Sequence, residues 1–317
     1  MFSISEYRAH YEQNGSNVNT AIAIGNFDAV HQGHLALVEA ARSAVGEGGR
    51  VEMWSFDPPP VSILQPGVLI ERITTFTLRR ELLIDAGADE VRRLTPTPEM
   101  LALEPREYIK SVIEEVALSC IIEGEGFRFG HRRAGTIETL KSLGDEFSFD
   151  VIVIPRVDVS LEDNYLVRAS SSMIRQLLNN GQMADVTRML GREYVLSGIV
   201  VPGDHRGRQV GIPTANLGDV QTMLPRDGIY AGSAQIDGTK YIAAISIGTK
   251  PTFGINDRVC EVHLIGFDGV IGHYEWPLNV TISHWIREQI AFDSVESLTL
   301  AIEEDIQTTI SLIESTS

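Results

Sequence analysis

Ala21-Ile22-Ala23-Ile24-Gly25-Asn26-Phe27-Asp28-Ala29-Val30-His31-Gln32-Gly33-His34 is an apolar run that breaks into a glycine-bearing polar turn, after which Leu35, Val38 and Val45 open a second apolar pattern. Four apolar residues bounded by a turn read as a strand, and the three-to-four-residue spacing beyond them reads as a helix face. The turn therefore lies at the carboxyl end of a strand and the amino end of a helix. Ligands bind at that place in open α/β sheets, and the N–H groups of a first helical turn favour phosphate. His31 and His34, three residues apart, can share one side of that turn. Two imidazoles beside a phosphate site can donate hydrogen bonds to charge that builds on a triphosphate during attack at its α-phosphorus. Capping and packing of the helix is the plain alternative, and zinc would need a further ligand that the neighbourhood lacks.

Working outward, strand-like runs alternate with helical stretches through the first half: Ala21–Ile24 then 33–45, Val51–Phe56 then 77–86, 104–118 then Ser119–Glu123, and 135–143 then Val151–Ile154. Alternation of this kind predicts a parallel sheet covered by helices, a Rossmann-like α/β unit. Helices are expected over 170–179, with serines at its start and Gly181 in the left-handed terminal position, and over 184–190, ending at Gly191.

Beyond Gly191 the texture changes to Val-, Ile- and Tyr-rich runs, Val195–Val201, Tyr241–Ile247, Val259–Phe267 and Leu278–Ile282, separated by Gly, Pro and Asp. These predict a small antiparallel β-barrel. Val295, Leu298, Ile302, Ile306, Ile310 and Ile313 predict one terminal helix whose apolar face packs on the barrel. The expected domains are 1–183 and 184–317.

A chain of 317 residues suits two domains, and 43% hydrophobic with 22% charged residues describes an ordinary globular composition. No run approaches a membrane span and the N-terminus lacks the features of a leader, so a cytoplasmic protein without membrane partners is expected. With 26 basic against 43 acidic residues, a net charge of −17 argues against nucleic acid as partner. Cys120 and Cys260 lack metal-ligand spacing and read as buried thiols.

Gly203-Asp204-His205-Arg206-Gly207-Arg208-Gln209-Val210-Gly211-Ile212-Pro213-Thr214-Ala215-Asn216 is a glycine-punctuated basic loop able to bend around an anion. This loop resembles the kinase signature of the bacterial bifunctional riboflavin kinase/FAD synthetases, Gly-x-x-Arg-Gly-x-x-x-Gly-Phe-Pro-Thr-Ala-Asn, with Ile212 for Phe. Gly25–His34 is similar to that family's Gly-x-Phe-Asp-Gly-x-His-x-Gly-His, with Ala29 for Gly. Ser55–Pro60, Gly124–Gly130 and Ser170–Arg175 resemble its Thr-Phe-Glu-Pro-His-Pro, Gly-x-(Asp/Asn)-Phe-x-Phe-Gly and Ser-Ser-Thr-x-Ile-Arg segments, with Pro59 for His and Gly126 for the carboxylate or amide. The likeness runs from about residue 20 to 313 with the motifs in family order.

The resemblance implies a first domain that joins FMN and ATP into FAD, and a second that phosphorylates riboflavin with ATP, both with Mg²⁺. It implies that Gly25, Asn26, Phe27, Asp28 and Gly33, with Ser170, Ser171, Ser172 and Arg175, bind ATP around His31 and His34. In the second domain it implies that Gly203, Arg206, Gly207, Gly211, Pro213, Thr214 and Asn216 bind ATP, with Thr214 and Asn216 presenting oxygens to Mg²⁺. Glu261, in Cys260-Glu261-Val262-His263-Leu264, matches the family's general base, although strand alternation alone leaves its side undecided. Phe56, Phe127, Arg128, Phe129, Arg287 and Phe292 are the expected flavin neighbours, with core packing the alternative for Phe127 and Phe129. Gly266 and Ile271-Gly272 depart from the usual Asp and Tyr-Gly. Ala29, Pro59 and Gly126 support an alternative in which only the kinase works and the first domain binds flavin nucleotide. A non-catalytic flavin sensor is opposed by the intact Thr214, Asn216 and Glu261. An aminoacyl-tRNA synthetase is opposed by the acidic balance and the lack of a Lys-Met-Ser-Lys-Ser-type loop.

Overall fold

The computed structural model describes residues 20–203, 211–249, 258–269 and 274–316. By packing, the chain divides into two compact units, residues 1–70 with 76–158, and 71–75 with 159–317.

In the first unit, β1 (Thr20–Gly25) leads to α1 (Gln32–Val45), β2 (Arg50–Phe56), α2 (Val61–Leu64), α3 (Phe76–Asp85) and β3 (Glu90–Leu94). Then come α4 (Pro98–Leu101), α5 (Pro105–Glu115), β4 (Leu118–Gly124), α6 (Ile137–Phe147) and β5 (Asp150–Ile154). The strands form one parallel sheet in the order β3-β2-β1-β4-β5. The alternation of Ala and Ile along β1 decides what covers each face. Ala21 and Ala23 meet Val38 and Ala41 of α1 and Leu83 of α3, while Ile22 and Ile24 meet Tyr108 and Ile109 of α5 and Leu140 of α6. Small residues on the first face let α1 approach closely. Residues 21–24 are at most 2% exposed, as a central parallel strand covered on both faces requires.

Strand β3 is absent from the periodic pattern because Glu90-Val91-Arg92-Arg93-Leu94 is mostly charged. It is an edge strand, and charge suits an edge. Arg92 stacks over Trp54, 4.4 Å from the ring centre, and binds Glu115 at 2.8 Å.

The second unit begins with a short pair, β6 (Asp158–Ser160) and β7 (Leu166–Arg168), of which Asp158 itself falls in the first unit by packing. Helices α7 (Ser171–Asn180) and α8 (Met183–Leu190) end on Gly181 and Gly191, at φ +73° and +72°. Only glycine enters that left-handed region without strain. The strands β8 (Tyr194–Val201), β9 (Ala215–Gly218), β10 (Gly228–Ile236), β11 (Thr239–Thr249), β12 (Arg258–Leu264) and β13 (Pro277–Arg287) close into an antiparallel barrel in the order β10-β11-β12-β9-β8-β13. Inside lie Tyr194, Leu217, Tyr230, Cys260, Val262 and Val280, none more than 4% exposed. Both cysteines are fully buried free thiols, and burial pushes their ionisation up. Among the described residues no helix is long and apolar enough to cross a membrane.

The terminal helix α9 (Val295–Thr316) packs on β10, β11 and β13, with Ile313 of the periodic apolar set buried, Leu298, Ile302, Ile306 and Ile310 half-buried, and two polar residues buried beside them. Val295 is 62% exposed, whereas Asp305, Thr309 and Ile313, spaced by four, are buried. Asp305 takes both arms of Arg287 on β13, Nε at 2.8 Å and Nη2 at 2.5 Å. A carboxylate 6% exposed on this buried face is tolerated because this bidentate pair satisfies it. Asp305→Ala strands the guanidinium and is expected to lower the unfolding free energy by about 2 kcal/mol, read by urea denaturation of the full chain. Asp305→Asn, which keeps one acceptor, should lose less.

Candidate active sites

In the first unit the strand order places the carboxyl ends of β2, β1 and β4 side by side, and the chain reverses direction across the sheet between β1 and β4. Three turns meet at that edge: Gly25–His31, Phe56–Pro60 and Gly124–Gly130. The β1–β4 ladder stops at Ile22 and Ile121, and beyond it the strands part. Ile24 N, facing that gap, donates to Glu123 Oε1 at 2.8 Å. Glu123 is 4% exposed, and burial holds its carboxyl well above the ordinary range. It is buried where β1 and β4 part, a part the sequence pattern did not reveal although a carboxylate closing the run Cys-Ile-Ile-Glu-Gly is a usable signal.

His31 is the N-cap of α1, extended at φ −82°, and His34 lies in the first turn. Their rings stack at 3.7 Å between centres and 18° between planes, and Phe27 meets His34 edge-on at 5.2 Å. His31 is 7% exposed. Arg79 of α3, 3% exposed, ties this turn to the end of β2. It donates through Nη1 to Ser55 Oγ at 3.0 Å and Phe56 O at 3.1 Å, and its Nη2 lies 3.8 Å from Asp28 Oδ1. In the apolar pattern Arg79 is indistinguishable from a surface residue of α3, so it was not anticipated.

Phe127 and Phe129 stack at 5.4 Å. Phe129, 5% exposed, is a core residue beside Ile22, Ile24 and Trp54, while Phe127 packs on that cluster from its margin with Phe56. Arg128, between them, is exposed. Gly130 sits at φ +70°, and a Cβ there would fall 2.9 Å from the backbone of Pro105, so the turn needs glycine on two grounds. Asn26 is exposed; Asp28 and Ala29 are buried, and Gly33 is half-buried. Ala29 has φ +82°, a conformation that costs an L-residue about 1 kcal/mol or more.

Ser170 to Ser172 and Arg175 belong by packing to the second unit. Ser170 caps α7, its side chain accepting from Met173 N at 3.2 Å, and Arg175 Nε donates to Glu71 O at 2.8 Å.

The second constellation is a row across the barrel's outer face. Glu261 is registered with Asn216 of β9 on one side and with Ser246 of β11 on the other, and Asn216 with Val201 of β8. Because Cys260, Val262 and Leu264 fill the interior, Glu261 points outward with Asn216. The question that alternation left open is thereby settled. Gly203 lies so close to Asn216 that a Cβ would stand 2.0 Å from its Nδ2, so only glycine lets the amide keep its place. Gly211 has φ +78°, and Pro213 and Thr214 are exposed. His263 Nδ1 lies 2.8 Å from Pro213 O. A cavity of about 500 Å³ opens beside the row, lined among others by Gly203, Asn216, Asp219, Arg258 and Glu71. Arg206 and Gly207 lie outside the described residues. Gln289, in the loop after β13, donates to Ser246 Oγ at 3.0 Å. Arg287, expected near the flavin, is held by Asp305, with its guanidinium 6.0 Å from the ring centre of the half-buried Phe292.

A phosphate-favouring crevice with paired histidines, and a barrel face carrying hard oxygen donors beside a carboxylate, together define a transferase with two nucleotide-using sites. Residues 13–165 match the family model described as FAD synthetase, and residues 190–313 the one described as riboflavin kinase. The bifunctional riboflavin kinase/FMN adenylyltransferase of Buchnera aphidicola subsp. Schizaphis graminum is 30% identical over 297 residues, covering 92% of this chain and 93% of its own. That of Escherichia coli K12 is 31% identical over 291 residues, covering 90% of each. A Streptococcus pneumoniae crystal structure titled a macrolide-efflux protein superposes with a TM-score of 0.82 at 29% identity, over 93% of this chain and 95% of that one. The chain belongs to the bifunctional riboflavin kinase/FMN adenylyltransferase family, and its activities are riboflavin kinase and FAD synthesis.

Ala29→Gly is expected to relieve the left-handed strain and raise stability by up to about 1 kcal/mol, less the entropy glycine adds to the unfolded chain. Chemical denaturation reads the change, and a loss of stability would show that the buried methyl contributes more by packing than it costs in strain.

Proposed function

We propose that the barrel's outer row is the kinase centre, with Glu261 as general base and Thr214 and Asn216 as its Mg²⁺ and ATP-phosphate ligands. The observation that carries this reading is the register of Glu261 with Asn216, which brings a carboxylate beside a hard oxygen donor across 45 residues of sequence. The riboflavin 5′-oxygen attacks the γ-phosphorus of ATP as its proton passes to the Glu261 carboxylate. The bond from the γ-phosphorus to the β,γ-bridging oxygen breaks, and ADP leaves. A hydroxyl and an amide oxygen suit Mg²⁺, which would neutralise phosphate charge there. Among the described residues no group of three or more His, Cys, Asp or Glu offers another metal site.

In the first unit, the N-terminal N–H groups of α1 and the stacked His31 and His34 are proposed to hold the ATP phosphates while an FMN phosphate oxygen attacks the α-phosphorus. Diphosphate leaves as FAD forms. The two imidazoles stabilise charge on the transferring group without bonding to it covalently. Phe127 and Phe56, at the margin of the core, are the proposed walls for the flavin ring, and Arg128 the nearby cation; Phe129 supports them from behind. By activity the proposed division is 1–183 for adenylylation and 184–317 for phosphorylation, and a cytoplasmic setting fits reactions that consume ATP.

Glu261→Gln should cut riboflavin phosphorylation about 10²-fold or more while FAD still forms from supplied FMN, as loss of a general base predicts. His31→Ala should do the reverse. Flavin chromatography separates the products, and a variant that loses both activities equally would contradict the separation of the sites.

A further inference from the structure

β12 places Val259, Glu261 and His263 on the barrel's outer face, alternating with the buried Cys260, Val262 and Leu264. Its ladder to β9 runs from Cys260 opposite Leu217 to Val262 opposite Ala215, and stops there. Thr214 therefore lies one residue beyond the last ladder position, on a segment with no regular structure of its own over 211–214. The next attachment is made by a side chain. His263 Nδ1 sits 2.8 Å from the Pro213 carbonyl oxygen. A carbonyl can only accept, so Nδ1 carries the hydrogen and donates, and it does so in both the neutral and the charged ring. The strand that bears Glu261 thus reaches over and grips the backbone immediately before Thr214. Gly203, nested against the Asn216 amide, limits that segment on the β8 side.

We propose that His263 is a positioning residue of the kinase, which through its Nδ1–H bond to Pro213 sets the distance between the Thr214 ligand and the Glu261 base. The inference rests on the assignment of Thr214, Asn216 and Glu261 given above. Alignment of phosphate ligand and base is the kind of constraint for which a shift of about 1 Å costs a large part of the rate. The contact seen for His263 is to backbone and not to Thr214 or Glu261 themselves, so its loss should act through the affinity for Mg·ATP and the alignment of the γ-phosphoryl group.

Isosteric replacement separates this role from simple packing. Asparagine carries an N–H donor where histidine has Nδ1; phenylalanine keeps the ring without a donor; glutamine reaches only the Nε2 position. In the full-length protein, His263→Phe and His263→Gln are expected to raise the KM for Mg·ATP in riboflavin phosphorylation about tenfold. His263→Asn should stay within about threefold of the wild type, FAD formation from supplied FMN, which reports the first unit alone, should be unchanged in all three, and an unchanged urea-unfolding midpoint of the barrel should show that its fold is intact. Wild-type KM and kcat in His263→Phe would overturn the proposal, as would equal impairment of the Asn and Phe variants, which would mark the ring's packing as the cause. Glu261→Gln measured in parallel keeps the two claims apart. Full activity in that variant removes the site assignment itself, whereas a dead Glu261→Gln with an unaffected His263→Phe removes only the role of His263.

Discussion

A strand in a closed barrel has an inside that must be apolar and an outside that need not be, and β12 is divided on this basis. Cys260, Val262 and Leu264 are at most 6% exposed, and their burial obliges Glu261 to face outward. Antiparallel pairing then puts Asn216 next to it, since β9 can satisfy its ladder to β12 only in the register that opposes Leu217 to Cys260. A one-residue slip would turn Asn216 into the core and Leu217 out of it, so the hydrophobic requirement that closes the barrel also brings together the residues of the proposed kinase site. The glycines serve the same end. Gly203 leaves room for the Asn216 amide, and Gly248, where a Cβ would stand 2.0 Å from Gln289 Oε1, leaves room for the Gln289 side chain in its observed place.

The proposed site of the first unit is built by another route. A parallel sheet buries both faces, so chemistry collects at the strand ends, and the reversal of strand order between β1 and β4 opens a crevice there. The opening leaves a backbone donor without its ladder partner, and the buried Glu123 supplies an acceptor for Ile24 N. Arg79 does the corresponding work on the other flank. Ala29 holds a left-handed bend within the Gly25–His34 turn at a cost in strain.

Much of this was legible in the sequence because it was written in periodicity and punctuation. The apolar run Ala21–Ile24 before a glycine turn marked a central strand, and serine and glycine marked both ends of α7. The order of motifs pointed to two linked activities. Other features were not legible for identifiable reasons. β3 is a charged edge, β9 begins in the last two residues of a motif read as loop, and β10 opens in a glycine-bearing segment with little alternation. The terminal helix buries Asp305 and Thr309 along with Ile313, and the charge partner that Arg287 gives Asp305 is something a search for apolar spacing passes over. Glu123, Arg79 and His263 act through hydrogen bonds to residues distant in sequence, and one-dimensional spacing carries no record of those.

The central claim is that one chain carries two separate transfer sites working in succession. A chromatographic time course with purified protein, riboflavin, ATP and Mg²⁺ tests it most directly. FMN should appear first and FAD later at its expense, with FAD also forming when FMN is supplied instead of riboflavin. FMN that accumulates without FAD in both cases would contradict the account of the first unit, and failure to form FMN at all would contradict that of the barrel.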